Sequence, residues 1–243
     1  MITSPWLDIP LSDYEGHMAL PEIAQARMLA DELERAVRQH TPRSVAIIGC
    51  SGGNGFERLI GTTVERIVGI DINPTYVAAA QARFGTQLPK LALYVADIQD
   101  ALPNIMPIEL IFAGLIFEYV DLRATMHNLH RLCAPGGTLV AVLQAPSAEA
   151  KAVSPSPYRS LQRLAPAMQL RDTREVKCAG AEAGFASAMT RSLTLPSGKS
   201  FVVFFFLPIN FIAERACRAT ITCRSVSGHV IGNSRRRHIA DGS

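Results

Sequence analysis

Short apolar runs rich in β-branched residues alternate with helical patterns along the middle of this 243-residue chain. The apolar runs lie at 44–49, 67–71, 91–96, 109–113 and 138–143. They are continuous rather than alternating, which is typical of strands that are buried on both faces of a sheet. The helical patterns between them lie at 54–60, 74–84 and 121–133. Strands that alternate with helices predict an α/β fold with an open parallel sheet and right-handed crossovers.

The flanking segments divide the chain into three predicted parts. Residues 1–40 are an irregular segment followed by an amphipathic helix from Pro21, and residues 41–207 are the α/β domain. Within that domain, the proline-containing stretch 145–172 predicts a cap loop, and residues 173–183 predict a helix. Two β-rich runs at 188–195 and 199–207 are joined by a short Pro-Ser-Gly turn, which predicts an antiparallel hairpin at the end of the sheet. Residues 208–243 form the third part, a basic tail without periodicity.

Composition and charge narrow the class of protein. Hydrophobic residues make up 48% of the chain and charged residues 19%, which predicts a folded core rather than disorder. The net charge is +3, but residues 214–243 hold six Arg and two acids, so the other 213 residues sum to −1. The body of the protein therefore lacks the positive charge that nucleic-acid binding requires, and no nucleic-acid partner is expected.

The cysteines, the N-terminus and the most apolar segment indicate the cellular compartment of the protein. Five scattered cysteines without a C-x-x-C pair argue against a disulfide framework and against structural zinc. The N-terminus has no basic-then-apolar pattern of a signal peptide. The most apolar stretch, 201–213, is interrupted by Pro208 and is shorter than the ~20 residues of a membrane helix. We therefore expect a cytoplasmic protein with no membrane partner.

A glycine-rich loop follows the first predicted strand, with four glycines between Gly49 and Gly55. Glycine allows the backbone to turn tightly and to approach a ligand without a Cβ in the way. The predicted helix at 54–60 would add free N–H groups at its N-terminus, which suit a carboxylate or a phosphate. A loop of this kind can also serve packing alone, so further signals are needed.

Acidic residues at the ends of the next two strands supply those signals. Asp71 ends the second strand 19 positions after Gly52, a spacing suited to binding ribose hydroxyls. Asp97 ends the third strand and is followed by Ile98, a pair that could hydrogen-bond and cover an adenine. A Pro-Gly-Gly turn at 135–137 leads into the fifth strand. Together these features predict a nucleotide-type ligand at the carboxyl edge of the sheet.

The chain resembles the class I S-adenosylmethionine-dependent methyltransferases over about residues 41–207, in the segments IIGCSGGNG, GIDINP, ADIQD, GLIFEYVD and LCAPGGTLV. The resemblance implies a Rossmann-like seven-stranded, mostly parallel sheet with an antiparallel last strand and helices on both faces. It implies S-adenosyl-L-methionine as the cofactor. The methionine part would lie against Gly49, Cys50, Ser51, Gly52 and Gly55, the ribose against Asp71, and the adenine against Ile72, Asp97 and Ile98. Gly114 and Leu115 would lie beside the sulfonium.

Two alternatives remain open. Ile48 occupies the position before the first glycine where this family often has an acid, so the usual indirect contact to the methionine amino group is in doubt. Together with the lack of an obvious base, this leaves a non-catalytic cofactor-binding module as one alternative. The other is a dinucleotide-dependent oxidoreductase, although Ser51 breaks the G-x-G-x-x-G fingerprint of that class.

Three residues are candidates for a role on the acceptor side. Glu118 follows the fourth strand and could supply a carboxylate, although capping of the next helix explains it equally well. Tyr14 and His17 lie in a segment that resembles the short lid of many family members, with surface packing as the alternative. No metal is expected, and the motifs of enzymes that methylate nucleic-acid bases are absent from the sequence. The sequence thus predicts an enzyme that methylates a small-molecule acceptor.

Overall fold

The predicted strands assemble into one seven-stranded sheet in a computed structural model that describes residues 4–88, 90–100, 102–146 and 153–209. The strands are β1 Ser44–Ile48, β2 Arg66–Asp71, β3 Leu91–Val95, β4 Ile108–Gly114, β5 Cys133–Gln144, β6 Phe185–Thr194 and β7 Ser200–Pro208. Their order is β3-β2-β1-β4-β5-β7-β6. Strands β1 to β5 are parallel, and β7 runs antiparallel to both of its neighbours. The predicted fold class is confirmed.

Helices cover both faces of this sheet. They are α1 Leu11–Ala19, α2 Gln25–His40, α3 Pro74–Phe84, α4 Leu122–Leu132 and α5 Thr173–Glu182. Helices α4 and α5 pack on one face, through residues such as Met126 and Val176, and α2 and α3 pack on the other. The aromatic side chains of β7 alternate between these two cores, with Phe204 in one and Phe205 in the other. This alternation buries the antiparallel strand on both sides.

The structure corrects four local predictions. Residues 54–60 do not form an α-helix, because the backbone keeps positive φ at Gly53 and Gly55 and only a 3-10 turn, Phe56–Leu59, follows. Residues 1–20 are not irregular throughout, since a 3-10 helix, Pro5–Asp8, precedes α1. The next helix begins four residues later than Pro21. Strand β5 begins at Cys133 and includes the Pro-Gly-Gly turn, with a register shift opposite it in β4.

The cap segment and the ends of the chain are described only in part. Residues 153–172 contain a 3-10 helix, Arg159–Leu164, which packs against the N-terminal segment through Ile9. Residues 147–152 and 210–243, which include nearly all of the predicted tail, lie outside the described residues. The three-part division of the chain stays a prediction. No helix among the described residues is both long and apolar enough to cross a membrane.

Candidate active site

The carboxyl ends of β1, β2, β3 and β4 surround a first cavity, which encloses about 690 Å³ of space that is partly open to solvent. It lies where the strand order reverses between β1 and β4, the usual position of a ligand in an open α/β sheet. Nine of the residues predicted for the site line it: Tyr14, Gly49, Ser51, Asp71, Ile72, Asp97, Ile98, Gly114 and Leu115. They come from five separate segments of the chain, which the fold brings to one edge.

Asp71, the last residue of β2, braces the glycine-rich loop. The Ser51 N–H donates to its Oδ2 at 2.8 Å, and the Asn73 N–H donates to its Oδ1 at 2.9 Å. Burial raises the pKa of the Asp71 carboxyl, while these N–H bonds act in the opposite direction. The backbone N–H of Ile72 also acts on this carboxylate, which offers about four lone-pair sites, so about one site is left for a ligand hydroxyl.

The Asp97 carboxylate accepts hydrogen bonds from Gln99, which was not predicted as a site residue. Its Oδ1 accepts from the backbone N–H of Gln99 at 3.0 Å and from the Gln99 side-chain amide at 3.0 Å. The Gln99 Oε1 accepts in turn from the N–H of Asp121, the cap residue of α4, at 2.6 Å. Gln99 also lines the first cavity, so this network fixes one polar wall of it.

The glycine-rich loop contributes to the cavity only in its first half. Gly49 has a φ of +68° and lines the cavity directly. The Cys50 side chain is packed in the core, where burial raises the pKa of its thiol. Only the backbone of Cys50 is therefore available to a ligand. Gly52 and Gly55 do not line the cavity. A Cβ on Gly55 would come within 3.0 Å of Leu33, which shows that this glycine allows close packing on α2.

A second cavity adjoins the first and encloses about 530 Å³. The two cavities share four wall residues: Trp6, Tyr14, Leu115 and Tyr119. Gln144, at the end of β5, and Lys199, just before β7, also line the second cavity. Because β7 is antiparallel to β5, its start lies at the same sheet edge as the end of β5. The second cavity therefore continues the binding edge beyond β4.

The structure places the candidates Tyr14 and His17 on different cavities. Tyr14 lines both, and burial together with the charge of Asp71 raises the pKa of its phenol, which therefore stays protonated at neutral pH. His17 lines only the second cavity and is 6% exposed. Burial and then the Lys199 charge lower its pKa, so its ring is neutral. The Nδ1 atom of this ring is buried and has no hydrogen-bond partner in the described part of the chain.

Glu118, the third candidate, lines neither cavity. It is fully buried, its Oε1 accepts from the Gln144 N–H at 2.7 Å, and its Oε2 has no hydrogen-bond partner among the described residues. Burial raises the pKa of this carboxyl to about 7. It does not cap α4, because Asp121 does so. The geometry therefore gives Glu118 a place behind Gln144 rather than in contact with a ligand.

Several lining residues were missed by reasoning from the sequence. They are Trp6, Tyr76, Gln99, Gln144 and Lys199. Gln144 and Lys199 had a usable signal, since both stand next to predicted strands at the edge where Asp71 was expected. Trp6 had none, because it reaches the site only through the tertiary fold of the N-terminal segment.

Comparison with known proteins agrees with this geometry. Residues 45–137 match the family model described as a methyltransferase domain. This match begins within β1 and ends in the first part of β5, so it covers the strands that surround the first cavity. A search of the curated proteins found no match.

Solved structures with the same fold include three at low identity. The N-methyltransferase NodS from Bradyrhizobium japonicum WM9, in complex with S-adenosyl-l-homocysteine, has 17% identity and a TM-score of 0.60, over 82% of this chain and 97% of that one. Magnesium protoporphyrin IX methyltransferase from Synechocystis PCC 6803 with bound SAM has 13% identity and a TM-score of 0.55, over 74% and 78%. The [4+2]-cyclase SpnF has 12% identity and a TM-score of 0.61, over 76% and 82%. These likenesses show the fold.

Residues 45–137 therefore match a methyltransferase domain, and the described residues have the fold of class I S-adenosylmethionine-dependent methyltransferases. The protein is an enzyme, and its cofactor is S-adenosyl-L-methionine.

Proposed function

We propose that the enzyme transfers a methyl group from S-adenosylmethionine in the first cavity to a small molecule in the second. The observation that carries this proposal is the wall that the two cavities share, formed by Trp6, Tyr14, Leu115 and Tyr119. The names of two proteins with the same fold, the N-methyltransferase NodS and a magnesium protoporphyrin IX methyltransferase, describe the same general reaction, a methyl transfer.

The lining residues fit the cofactor chemically. The carboxylate of Asp71 can accept from a ribose hydroxyl, and the apolar side chains of Ile72 and Ile98 can cover the two faces of an adenine. Asp97, fixed by Gln99, offers an acceptor at the adenine edge. The methionine part would follow the loop residues Gly49, Cys50, Ser51 and Gly52 toward Gly114 and Leu115. Gly55, packed on α2, would act through the shape of the loop.

When bound, S-adenosylmethionine supplies an electrophilic methyl group on a sulfonium. The residues of this chain orient the two reactants and exclude water. The aromatic wall of Trp6, Tyr14 and Tyr119 does both, and its rings meet edge to face, with centroids 5.5 Å and 5.1 Å apart. The protonated phenol of Tyr14 can donate a hydrogen bond but cannot act as a base at neutral pH. The neutral ring of His17 can accept a proton, and it lies on the acceptor side.

Calorimetry with S-adenosylhomocysteine tests the cofactor site. Asp71→Ala should weaken binding by about 1.5–3 kcal/mol, because hydrogen bonds to a charged group are lost and the loop loses its brace at Ser51. Asp100→Ala is the control, since Asp100 does not line the first cavity, and it should leave the affinity unchanged. Tight binding of NADH with no binding of S-adenosylhomocysteine would refute the proposal.

A screen with a labelled methyl donor over pools of small metabolites tests the transfer itself. Label in any small molecule would support the proposal. Label found only in protein or nucleic acid, or in nothing, would contradict it, and the second result would favour a cofactor-binding module without transfer.

A further inference from the structure

The wall that the two cavities share is mainly aromatic. Trp6, Tyr14 and Tyr119 form it together with Leu115, and each of the four is half-buried, so it keeps surface that a ligand can contact. The plane of the Trp6 ring lies at 83° to that of Tyr14 and at 85° to that of Tyr119. Because these planes are nearly perpendicular, a group beside such a pair that meets one ring on its edge meets the other on its face. A group at this wall therefore contacts the face of an aromatic ring.

Methyl transfer between the cavities requires the sulfonium to lie at this wall. The methyl group starts on a cofactor in the first cavity and reaches an acceptor in the second, and the reacting atoms must approach to about 3.5 Å. Among the described residues, Trp6, Tyr14, Leu115 and Tyr119 are the ones that line both cavities. The sulfonium of a cofactor that is ready for transfer therefore lies beside these four side chains, whichever acceptor is used.

The carboxylates of the described lining residues lie elsewhere. These acids are Asp71, at the end of β2, and Asp97, just after β3. Two strand spacings, about 10 Å in all, separate the end of β2 from the end of β4, which Leu115 follows. Asp97 is one strand farther away, and Glu118 lines neither cavity. Direct contact with the charge of the sulfonium is thus left to uncharged side chains.

The aromatic rings of the wall suit a positive charge. Burial raises the pKa of the Tyr14 and Tyr119 phenols, so both stay protonated and neutral at neutral pH. The face of an aromatic ring attracts a cation that lies within about 6 Å of the ring centre, and the attraction is strongest for Trp. It also increases when the cation is removed from water. Trp6, which is perpendicular to both tyrosines, is therefore expected to contribute most.

We propose that Trp6, Tyr14 and Tyr119 bind the sulfonium by cation–π contacts, so that the enzyme binds its charged donor more tightly than its neutral product. In the transfer, a lone pair of the acceptor forms the new bond to the methyl carbon, and the electron pair of the broken S–C bond stays on sulfur. The sulfur becomes an uncharged thioether, and the cation–π attraction is lost with the charge. S-adenosylhomocysteine is then released more readily than S-adenosylmethionine. The inference rests on the proposed function, since it assigns a role to the wall between its two cavities.

Charged and neutral forms of the cofactor test this preference. S-adenosylmethionine carries a sulfonium, sinefungin carries an ammonium close to the same position, and S-adenosylhomocysteine is neutral there. Calorimetry on the full-length protein without an acceptor measures the Kd of each. We expect both cations to bind about tenfold more tightly than S-adenosylhomocysteine. The emission of Trp6, the single tryptophan of the chain, should change with both cations and change less with S-adenosylhomocysteine.

Variants assign the preference to the rings of the wall. Trp6→Leu should reduce it to less than about threefold, because leucine has no ring face. Trp6→Phe should keep an intermediate preference, and it replaces the leucine variant if that variant does not fold. Tyr119→Phe should keep the full preference, because the ring is retained. Tyr94→Leu is the matched control and should also keep it, since Tyr94 is half-buried on β3 and lines neither cavity.

Four results would overturn the inference. They are equal affinity of the unmodified protein for all three ligands, a preference that is unchanged in both Trp6 variants, an equal loss in Tyr94→Leu, and a loss in Tyr119→Phe as large as that in Trp6→Leu. In each case intact binding of S-adenosylhomocysteine shows that the role given to the aromatic wall has failed alone. If the unmodified protein binds neither S-adenosylmethionine nor S-adenosylhomocysteine, the proposed function itself has failed.

Discussion

Glu118 is a carboxylic acid in the core, and its second oxygen makes no hydrogen bond to any described residue. Burial raises its pKa to about 7 in the folded state, above the ordinary value near 4.5 that the unfolded chain has. The folded state therefore holds a proton between these two values that the unfolded state releases. The stability that this proton provides is complete below about pH 4.5 and is lost as the pH rises through about 7.

Glu118→Gln should remove this pH dependence, because the amide is neutral throughout and can still accept from the Gln144 N–H. The free energy of unfolding of the variant, minus that of the unmodified protein, should rise by about 1–3 kcal/mol between pH 5 and pH 8. Urea unfolding at both pH values measures it. Glu57→Gln, at the surface, is the control and should show no such rise. A constant difference for Glu118→Gln would mean that its carboxyl is ionised in the fold at pH 5.

At the scale of elements, the N-terminal segment 4–19 is fastened to the glycine-rich loop and to α3. Arg83 of α3 pairs with Glu15 of α1, and its Nη1 also donates to the Gly52 carbonyl at 3.2 Å. The Asn73 amide donates to the Trp6 carbonyl at 2.9 Å, on the wall of the first cavity. A ligand in that cavity is thus partly covered by a segment that polar contacts hold in place.

Arg83→Met should speed the release of S-adenosylhomocysteine by a few-fold. A half-exposed ion pair is worth up to about 1 kcal/mol, so the melting temperature should change little. Stopped-flow displacement measures the release rate. Arg58→Met is the matched control, because Arg58 is also half-exposed and forms its ion pairs with α2 instead, away from segment 4–19. Faster release in both variants would mean that the effect is general loosening.

At the scale of the whole molecule, strand β7 closes the sheet, and it ends at Pro208. A chain that stops after Ile209 should therefore keep its melting temperature and its affinity for S-adenosylhomocysteine, because the described residues already form a closed sheet, two core clusters and both cavities. Calorimetry on the shortened and the full-length chains compares both quantities. A fall of several degrees in melting temperature would show that residues 210–243 belong to the folded unit.

The sheet could be predicted from the sequence because each strand is a short, continuous apolar segment. The alternation of these segments with helices indicates which strands are neighbours. Asp71 and Asp97 were located in the same way, as residues at strand ends. The helix predicted at 54–60 was wrong, since the apolar spacing of Phe56 and Leu59 is satisfied by one 3-10 turn. Helix α1 was missed because 11–19 has no apolar stripe and depends on tertiary contacts.

The second cavity could hardly be predicted from the sequence, because it too depends on tertiary contacts. Its walls come from α1, the ends of β4 and β5, the cap segment and the residue before β7, so no local pattern marks it. Three of its lining residues were predicted: Tyr14 and His17 from the resemblance of their segment to a lid, and Leu115 as a neighbour of the sulfonium.

The two cavities are lined largely by different segments of the chain, so the residues of one can change in evolution with little change in the other. The first cavity is framed by the β1–β4 edge, whereas the second takes much of its wall from α1 and from residues 153–168, which are outside the sheet. Exchange of those two segments between homologues would transplant acceptor choice and leave the β1–β4 edge of the donor site unchanged, if Tyr14, which lines both cavities, is kept. Chimaeras that swap both segments together, rather than one alone, should retain their mutual packing through the bond from the Ser160 hydroxyl to Asp13.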